Sequence, residues 1–224
     1  MEKTRKLVII GDSAFAEIAY EYFTHDSPYE VVGFSVEQAF LKRDQLFELP
    51  IVPFEALEIH FAPAEHHFFA AITYVQLNRL RMRLFRSAKE RGYRPASYVS
   101  SNAFVWRNVE LGEHCFIFEN NVVQPFVKIG ENVVMWSGNH IGHHSTIGAN
   151  CFIASHAVVS GFVNMGENCF VGVNTTFSNN VTIGQDCLFG AGAVVARDVP
   201  EDKVVKAEAG EPTGSARRLN RVKE

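Results

Sequence analysis

From Leu111 onward, every sixth residue is large and apolar. The series runs Leu111, Ile117, Val123, Ile129, Met135, Ile141, Ile147, Ile153, Val159, Met165, Val171, Phe177, Ile183, Phe189 and Val195 without a break. At 47% hydrophobic composition, such a run from a fixed start arises by chance about once in 10⁵ trials. Two residues earlier stand mostly small or β-branched residues, such as Val109, Cys115, Val127, Cys151 and Ala157. These suit the inside of a narrow coil. The residue after the apolar one is often glycine, as at Gly112, Gly130, Gly142, Gly148 and Gly166. That pattern predicts sharp corners where φ is positive. A longer period of eighteen joins LGEHCF, IGENVV, IGANCF, MGENCF and IGQDCL, which start at 111, 129, 147, 165 and 183. A repeat this short cannot bury its own apolar face, so copies must stack. The expected fold is a parallel β-helix of about five three-walled coils, roughly 4.8 Å apart. Asn132, Asn150, Asn168 and Asp186 should form a polar ladder along one corner.

The first half has a different rhythm. KLVIIGDSAFAEIAYEYF, from Lys6 to Phe23, reads as strand, tight turn and helix, with Phe15, Ile18, Ala19, Tyr22 and Phe23 on one helical face. A second strand is expected over Tyr29–Phe34 and a short strand with a Pro-started helix over 48–58. A third strand is expected over 66–73, a basic amphipathic helix over Gln76–Arg91, and a last strand over Arg94–Val99 that feeds the β-helix. The alternation implies a small parallel sheet that takes ligands at its strand C-terminal ends. The turn Gly11-Asp12-Ser13-Ala14-Phe15 has one glycine, so it is not a dinucleotide fingerprint. It reads equally as a plain tight turn or as a loop offering helix-N-terminal N–H groups to a phosphate.

The hexads and the ending GAGAVVARDVP at 190–200 resemble the hexapeptide-repeat acyltransferases, whose β-helix is left-handed. With the first half included, the chain resembles the NeuD/PglD-like sugar O/N-acetyltransferases. That resemblance implies a Rossmann-like nucleotide-sugar domain at 1–99, a left-handed β-helix at 100–200 and a C-terminal tail at 201–224. It implies a homotrimer, with acetyl-CoA lying along the β-helix between two subunits. It assigns the Gly11–Phe15 turn to the sugar nucleotide and His143, two residues after Ile141, to general-base catalysis. It places acetyl-CoA near Phe152, Val173 and Ala191. Ser35 and Tyr74 stand where the family often has an aspartate pair and an A-I-G-x-N segment, and so become substrate-site candidates. The family commonly has Glu or Asp after the base; this chain has His144. His144 is expected to assist His143 in catalysis, and two readings of it stay open, hydrogen bonding to the substrate and exposure to solvent.

Composition narrows the partners. The formal charge is −4 and the basic tail residues Arg217, Arg218 and Arg221 read as a solvated C-terminus. Nucleic acid is therefore not an expected partner. No stretch approaches the ~18 apolar residues of a membrane span. Met1–Lys6 runs straight into a strand, unlike a secretory signal. Cys115, Cys151, Cys169 and Cys187 share one hexad phase and read as reduced, buried fillers of a cytoplasmic protein. No two of His114, His140, His143, His144 and His156 are eighteen or thirty-six apart, which argues against a zinc site built across coils. The expected activity is N-acetylation of a nucleotide-linked amino sugar by acetyl-CoA, for surface glycan assembly, without metal. An amine needs less help from a base than a hydroxyl does, which favours it over a sialic-acid type O-acetylation. A non-catalytic nucleotide-sugar-binding scaffold is the remaining alternative.

Overall fold

A computed structural model describes residues 2–208. Met1 and the tail arginines Arg217, Arg218 and Arg221 lie outside the described residues. The N-terminal half is an α/β layer. Its strands are β1 (Arg5–Ile10), β2 (Tyr29–Val36), β3 (Gln45–Leu46), β4 (Leu49–Pro53), β5 (His66–Ala70) and β6 (Arg94–Pro95). They lie in the order β3-β4-β2-β1-β5-β6. All neighbours are parallel except the β3–β4 hairpin, which the sequence pattern had not indicated. Helix α1 (Ala14–His25) covers one face. The short α2 (Leu57–His60) and α3 (Arg79–Glu90) cover the other.

The β-helix has three walls. The first carries strands at Tyr98–Val99, Phe116–Ile117, Val134–Met135, Phe152–Ile153, Phe170–Val171, Leu188–Phe189 and Val204–Val205. The second carries Phe104–Val105, Val122–Val123, His140–Ile141, Val158–Val159, Thr176–Phe177 and Val194–Val195. The third carries Glu110–Leu111, Lys128–Ile129, Thr146–Ile147, Asn164–Met165 and Thr182–Ile183. The parallel pairings join residues eighteen apart, such as Ile141 with Val159, except the last on the first wall, where Leu188 pairs with Val204. The every-sixth-residue series fills the inside, and from Ile117 to Val195 its members are all buried. All four cysteines are buried and free in the same column, and burial pushes the Cys115 thiol up to about 11.

Several boundaries differ from the sequence expectation. The strand expected over Arg94–Val99 divides in two. Arg94–Pro95 pairs with β5, and Tyr98–Val99 begins the first wall. The helix expected from Gln76 starts at Arg79, because Gln76, Leu77 and Asn78 all have positive φ. The corner glycines do not supply positive φ either. That conformation falls two residues later, on Asn132, His144, Asn150 and their equivalents. Glycine is needed at the corner because the next coil comes too close. A Cβ at Gly142 would stand 2.5 Å from the Ser160 carbonyl carbon.

The α/β layer lies on the first wall. Phe15, Phe23 and Phe69 pack against Phe116, with Phe118, Val134 and Phe152 in the same cluster. Both edges of that wall are held by polar contacts. At the first corner, between walls one and two, the Tyr22 hydroxyl donates to Glu119 at 2.7 Å. At the third corner, between walls three and one, Arg81 and Asn78 bond to the turns of successive coils.

Candidate active site

Two separate places carry the expected site residues. The first is the C-terminal edge of the α/β sheet. The chain goes from β1 to β2 on one side and later to β5 on the other, so β1 is the topological switch point. Gly11 follows β1 with φ 118° and a Cβ there would meet the Ala71 carbonyl oxygen at 2.9 Å. Its N–H donates to the Ser35 carbonyl at 2.8 Å. A pocket of about 190 Å³ opens here, lined by Gly11, Asp12, Ser13 and Ser35 above an apolar floor that includes Ile72 and Leu80. Ser35 is fully buried, and among the described residues its hydroxyl has no partner. Ser13 is the N-cap of α1 but makes no side-chain cap bond, which leaves its hydroxyl free. The first N–H groups of α1 are unpaired by helix geometry. This edge therefore offers donors and a hydroxyl pair to an oxygen-rich ligand. A larger cavity, about 650 Å³, lies among Arg5, Lys6, His67 and Arg94 at the start of β1. It is at the opposite edge of the sheet from the switch point.

The structure corrects part of the expected substrate set. Phe15 does not present its ring to this pocket. It is 2% exposed and packs on Phe69, Phe116 and Trp136 in the interdomain core. Ala14 is exposed beside the pocket but does not line it. Tyr74 lies apart, with its ring on Phe152 at 5.2 Å and Phe170 at 4.6 Å. Glu37 and Phe40, which also line the pocket, were not among the expected residues. Arg83 fixes the Glu37 carboxylate with two bonds of 2.8 and 2.9 Å.

The second place is the second corner, between walls two and three. Among the described residues, no hydrogen bond, ion pair or ring contact ties the α/β layer to it. His143 and His144 stand exposed there, after the wall-two strand His140–Ile141. Their Nδ1 atoms are 3.2 Å apart. The His143 N–H donates to the Gln124 side-chain oxygen at 2.9 Å, which pins the turn to the preceding coil. A neutral imidazole pair at this distance shares one proton. If His143 donates it, the His143 Nε2 keeps a free lone pair and can act as a base.

Of the three expected acetyl-CoA residues, two are accessible. Val173 and Ala191 are exposed at the first corner, one coil apart. Phe152 is 3% exposed and belongs to the interdomain core. The alternation of the strand explains this. Ile153 points into the β-helix, so Phe152 points out, and on the first wall outward means under the α/β layer. Among the described residues, no group of three or more His, Cys, Asp or Glu side chains is disposed to hold a metal ion.

The histidine with the most perturbed surroundings is not in this corner. His114, at the third corner, is fully buried. Its Nε2 accepts from the Ala70 N–H at 2.9 Å and its Nδ1 donates to Asn132 at 2.7 Å. Burial first, then the Arg81 charge, hold its pKa well below 6.5, so it is neutral in the fold. The unfolded chain takes up that proton below about 6.5. Stability is therefore present in full above that pH and declines as pH falls beneath it. The slope from this group reaches at most ~1.4 kcal/mol per pH unit. Urea unfolding at pH 7.5 and 5.5 should show the decline, and His114→Asn should flatten it. Equal slopes would assign it to other groups, such as His67, whose pKa is lowered by burial and by Arg5 and Arg94.

Comparison with known proteins gives the context. Residues 126–161 and 162–197 match the family described as bacterial transferase hexapeptide (six repeats). No curated protein sequence matches the chain. PerB from Caulobacter crescentus, solved with CoA and GDP-perosamine, is similar at TM-score 0.80 and 26% identity, over 90% of this chain and 94% of its own. The acetyltransferase domain of PglB from Neisseria gonorrhoeae shares the fold at TM-score 0.82 and 21% identity, over 94% of this chain and 100% of its own. WeeI from Acinetobacter baumannii shares it at TM-score 0.61 and 20% identity, over 91% and 97%. Residues 126–197 thus carry the bacterial transferase hexapeptide repeat, and over nearly its whole length the chain shares with these proteins one architecture, a β-helix joined to a small N-terminal α/β domain.

Proposed function

We propose that the chain transfers the acetyl group of acetyl-CoA to the amino group of a nucleotide-linked amino sugar, as a homotrimer. The observation that carries this reading is the exposed His143, with its Nδ1 engaged by a second imidazole and its corner free of the α/β layer. The pocket at Gly11, Ser13 and Ser35 suits the nucleotide end of the acceptor, with helix N–H groups available to its phosphates. The exposed Val173 and Ala191 flank the second wall and suit the pantetheine arm, which would run past the wall to His143.

In the reaction the sugar nitrogen attacks the thioester carbonyl. A C–N bond forms and the C–S bond breaks. The proton released by nitrogen passes to the His143 Nε2 and from there to the CoA sulfur. Backbone N–H groups of the corner can stabilise the oxyanion. Within one chain, the pocket and His143 lie on different sides of the β-helix. The pocket is in the layer over wall one, and His143 is on the corner opposite that wall. An acceptor held in one chain's pocket is therefore best placed to reach the His143 of a neighbouring chain, and a trimer supplies that neighbour. The exposed Phe104, Phe126, Val158 and Phe162 on wall two and its corner suit such an interface. Acetyl-CoA and sugar nucleotides meet in the cytoplasm, where we place the protein, in the assembly of surface glycans.

The test is acetyl-CoA consumption against GDP-, UDP- and dTDP-linked 4-amino and 3-amino sugars, read as free thiol and product mass. Turnover with one member, giving a product heavier by one acetyl, is the expected result. Turnover only with hydroxyl sugars would replace N-acetylation by O-acetylation. No turnover with any acceptor would support a binding scaffold. Light scattering that finds a monomer would remove the shared site.

A further inference from the structure

The corner that carries His143 also holds an aromatic column. Phe126, His144 and Phe162 occupy the same position in three successive coils, at φ 64°, 60° and 59°. At six equivalent corner positions this left-handed conformation falls on asparagine, at Asn120, Asn132, Asn150, Asn168, Asn174 and Asn180. Asparagine tolerates it and phenylalanine does not favour it. Nor are the two phenylalanines buried in the chain, being 56% and 51% exposed. What they do is stack. The His144 ring lies between them, 4.6 Å from Phe126 at 28° and 4.9 Å from Phe162 at 18°. The His143 ring meets Phe162 edge-on, at 5.1 Å and 88°. Among the described residues, neither imidazole is paired with a carboxylate.

We propose that Phe126 and Phe162 are positioning residues that clamp His144 so that its Nδ1 accepts the Nδ1–H of His143, in the place a carboxylate would otherwise take. The proposal rests on His143 as the base. With two neutral imidazoles, the shared proton can lie either way. In one arrangement His143 donates and its Nε2 is free to accept the substrate proton. In the other His144 donates, the His143 Nε2 carries a proton, and the base is lost. Stacking on both faces fixes the plane of His144 and aims its Nδ1 edge at His143. It also answers the charge problem. When His143 takes the substrate proton, the dyad becomes a cation. A carboxylate would offset that charge directly. Here the negative faces of two phenylalanine rings lie against the imidazole that shares it. By holding the His144 Nδ1 against the His143 Nδ1, the clamp keeps an acceptor for the His143 Nδ1–H, without which that imidazole is free to carry its proton on Nε2, and it favours the charged dyad afterwards.

The first test needs no substrate. In the full chain labelled with [15N]histidine, the His143 Nδ1 should read as protonated and its Nε2 as pyridine-type. Phe126→Leu and Phe162→Leu keep bulk without the π face and should shift His143 toward the other tautomer. Unchanged tautomer signals in both variants would overturn the proposal. The second test is a cycle with acetyl-CoA and GDP-perosamine. Phe162→Leu should lower kcat about tenfold with little change in either KM, an effect sized for two weak cation–π contacts and a tautomer shift. In a His144→Glu background a carboxylate holds His143, so the same change should cost less than about twofold. Equal costs in the two backgrounds would mean that the phenylalanines act through assembly instead, and the clamp would fall. Full activity in His143→Ala would overturn the base assignment itself. An inactive His143→Ala with no coupling between Phe162 and His144 would overturn only the clamp.

Discussion

His143→Ala should lower kcat by about 10²–10⁴-fold, the usual worth of a positioned general base. The KM for each substrate should move little, because the imidazole lies outside the pocket that suits the sugar nucleotide. The substitution should also be structurally mild. His143 is exposed, and its backbone N–H keeps its bond to Gln124 whatever the side chain. Neighbouring positions of the corner accept the left-handed conformation, which at this turn falls on His144 and not on His143. A loss of activity with unchanged thermal unfolding and unchanged particle size would thus be chemical in origin. The measurement is steady-state thiol release with purified variant and parent at saturating acceptor. A variant within threefold of the parent would end the assignment of His143 as the base. An asparagine at the same position would be a useful companion, since it keeps a polar side chain but cannot take a proton at neutral pH.

The β-helix was legible because its inward positions obey one rule at every step. Ile141, Ile147 and Ile153 stand on walls two, three and one and all face the same interior, so no long-range information is needed to place them. The α/β half was legible only as an alternation of elements. The left-handed turn at Gln76, Leu77 and Asn78 has no local signal. It is held by contacts that exist only after folding, such as the Asn78 side-chain N–H bonding the Asn150 carbonyl at 2.5 Å. Phe152 was misplaced for a related reason. Its phase in the hexad points it outward, and family resemblance then suggests a ligand. Phe116, Phe152 and Phe170 all occupy that outward phase on one wall, and a column of phenylalanines signals a wall that something covers. The spacing of Phe126, His144 and Phe162 was equally visible, but its meaning depends on a left-handed backbone that brings the three rings face to face. The pocket could be placed at Gly11 from the strand–turn–helix pattern. Its floor, built from α3 residues Leu80 and Leu84, depends on how that helix docks.

Arg81→Ala should destabilise the protein by about 3 kcal/mol, the largest effect expected of any single change at the interdomain seam. Arg81 is fully buried, and among the described residues no carboxylate bonds it. Its guanidinium instead reaches across the seam in several directions. Nε donates to the Ala70 carbonyl at 3.0 Å, Nη1 to the Asn132 carbonyl at 2.6 Å and to its side-chain oxygen, and Nη2 to the His114 carbonyl at 3.1 Å. The Phe69 ring lies 5.2 Å below. Burial lowers its pKa to about 9, so it stays charged at neutral pH. Removing it relieves a desolvated charge but strands three buried carbonyls and leaves a cavity. Each stranded acceptor costs ~1–3 kcal/mol, which outweighs the relief unless water refills the space. Lysine cannot substitute, because one ammonium cannot span acceptors fixed in the plane of a guanidinium fork. Arg81→Lys should therefore recover less than half of the loss. Thermal unfolding at fixed protein concentration would read the alanine change as a drop of about 6–12 °C. The seam also sets the pocket. Arg81 grips Ala70, whose neighbour Ala71 closes on Gly11. The KM for the sugar nucleotide should rise while that for acetyl-CoA stays near the parent value. A variant that melts with the parent and binds both substrates normally would show that the aromatic contacts of Phe15, Phe69 and Phe116 hold the two halves together without it.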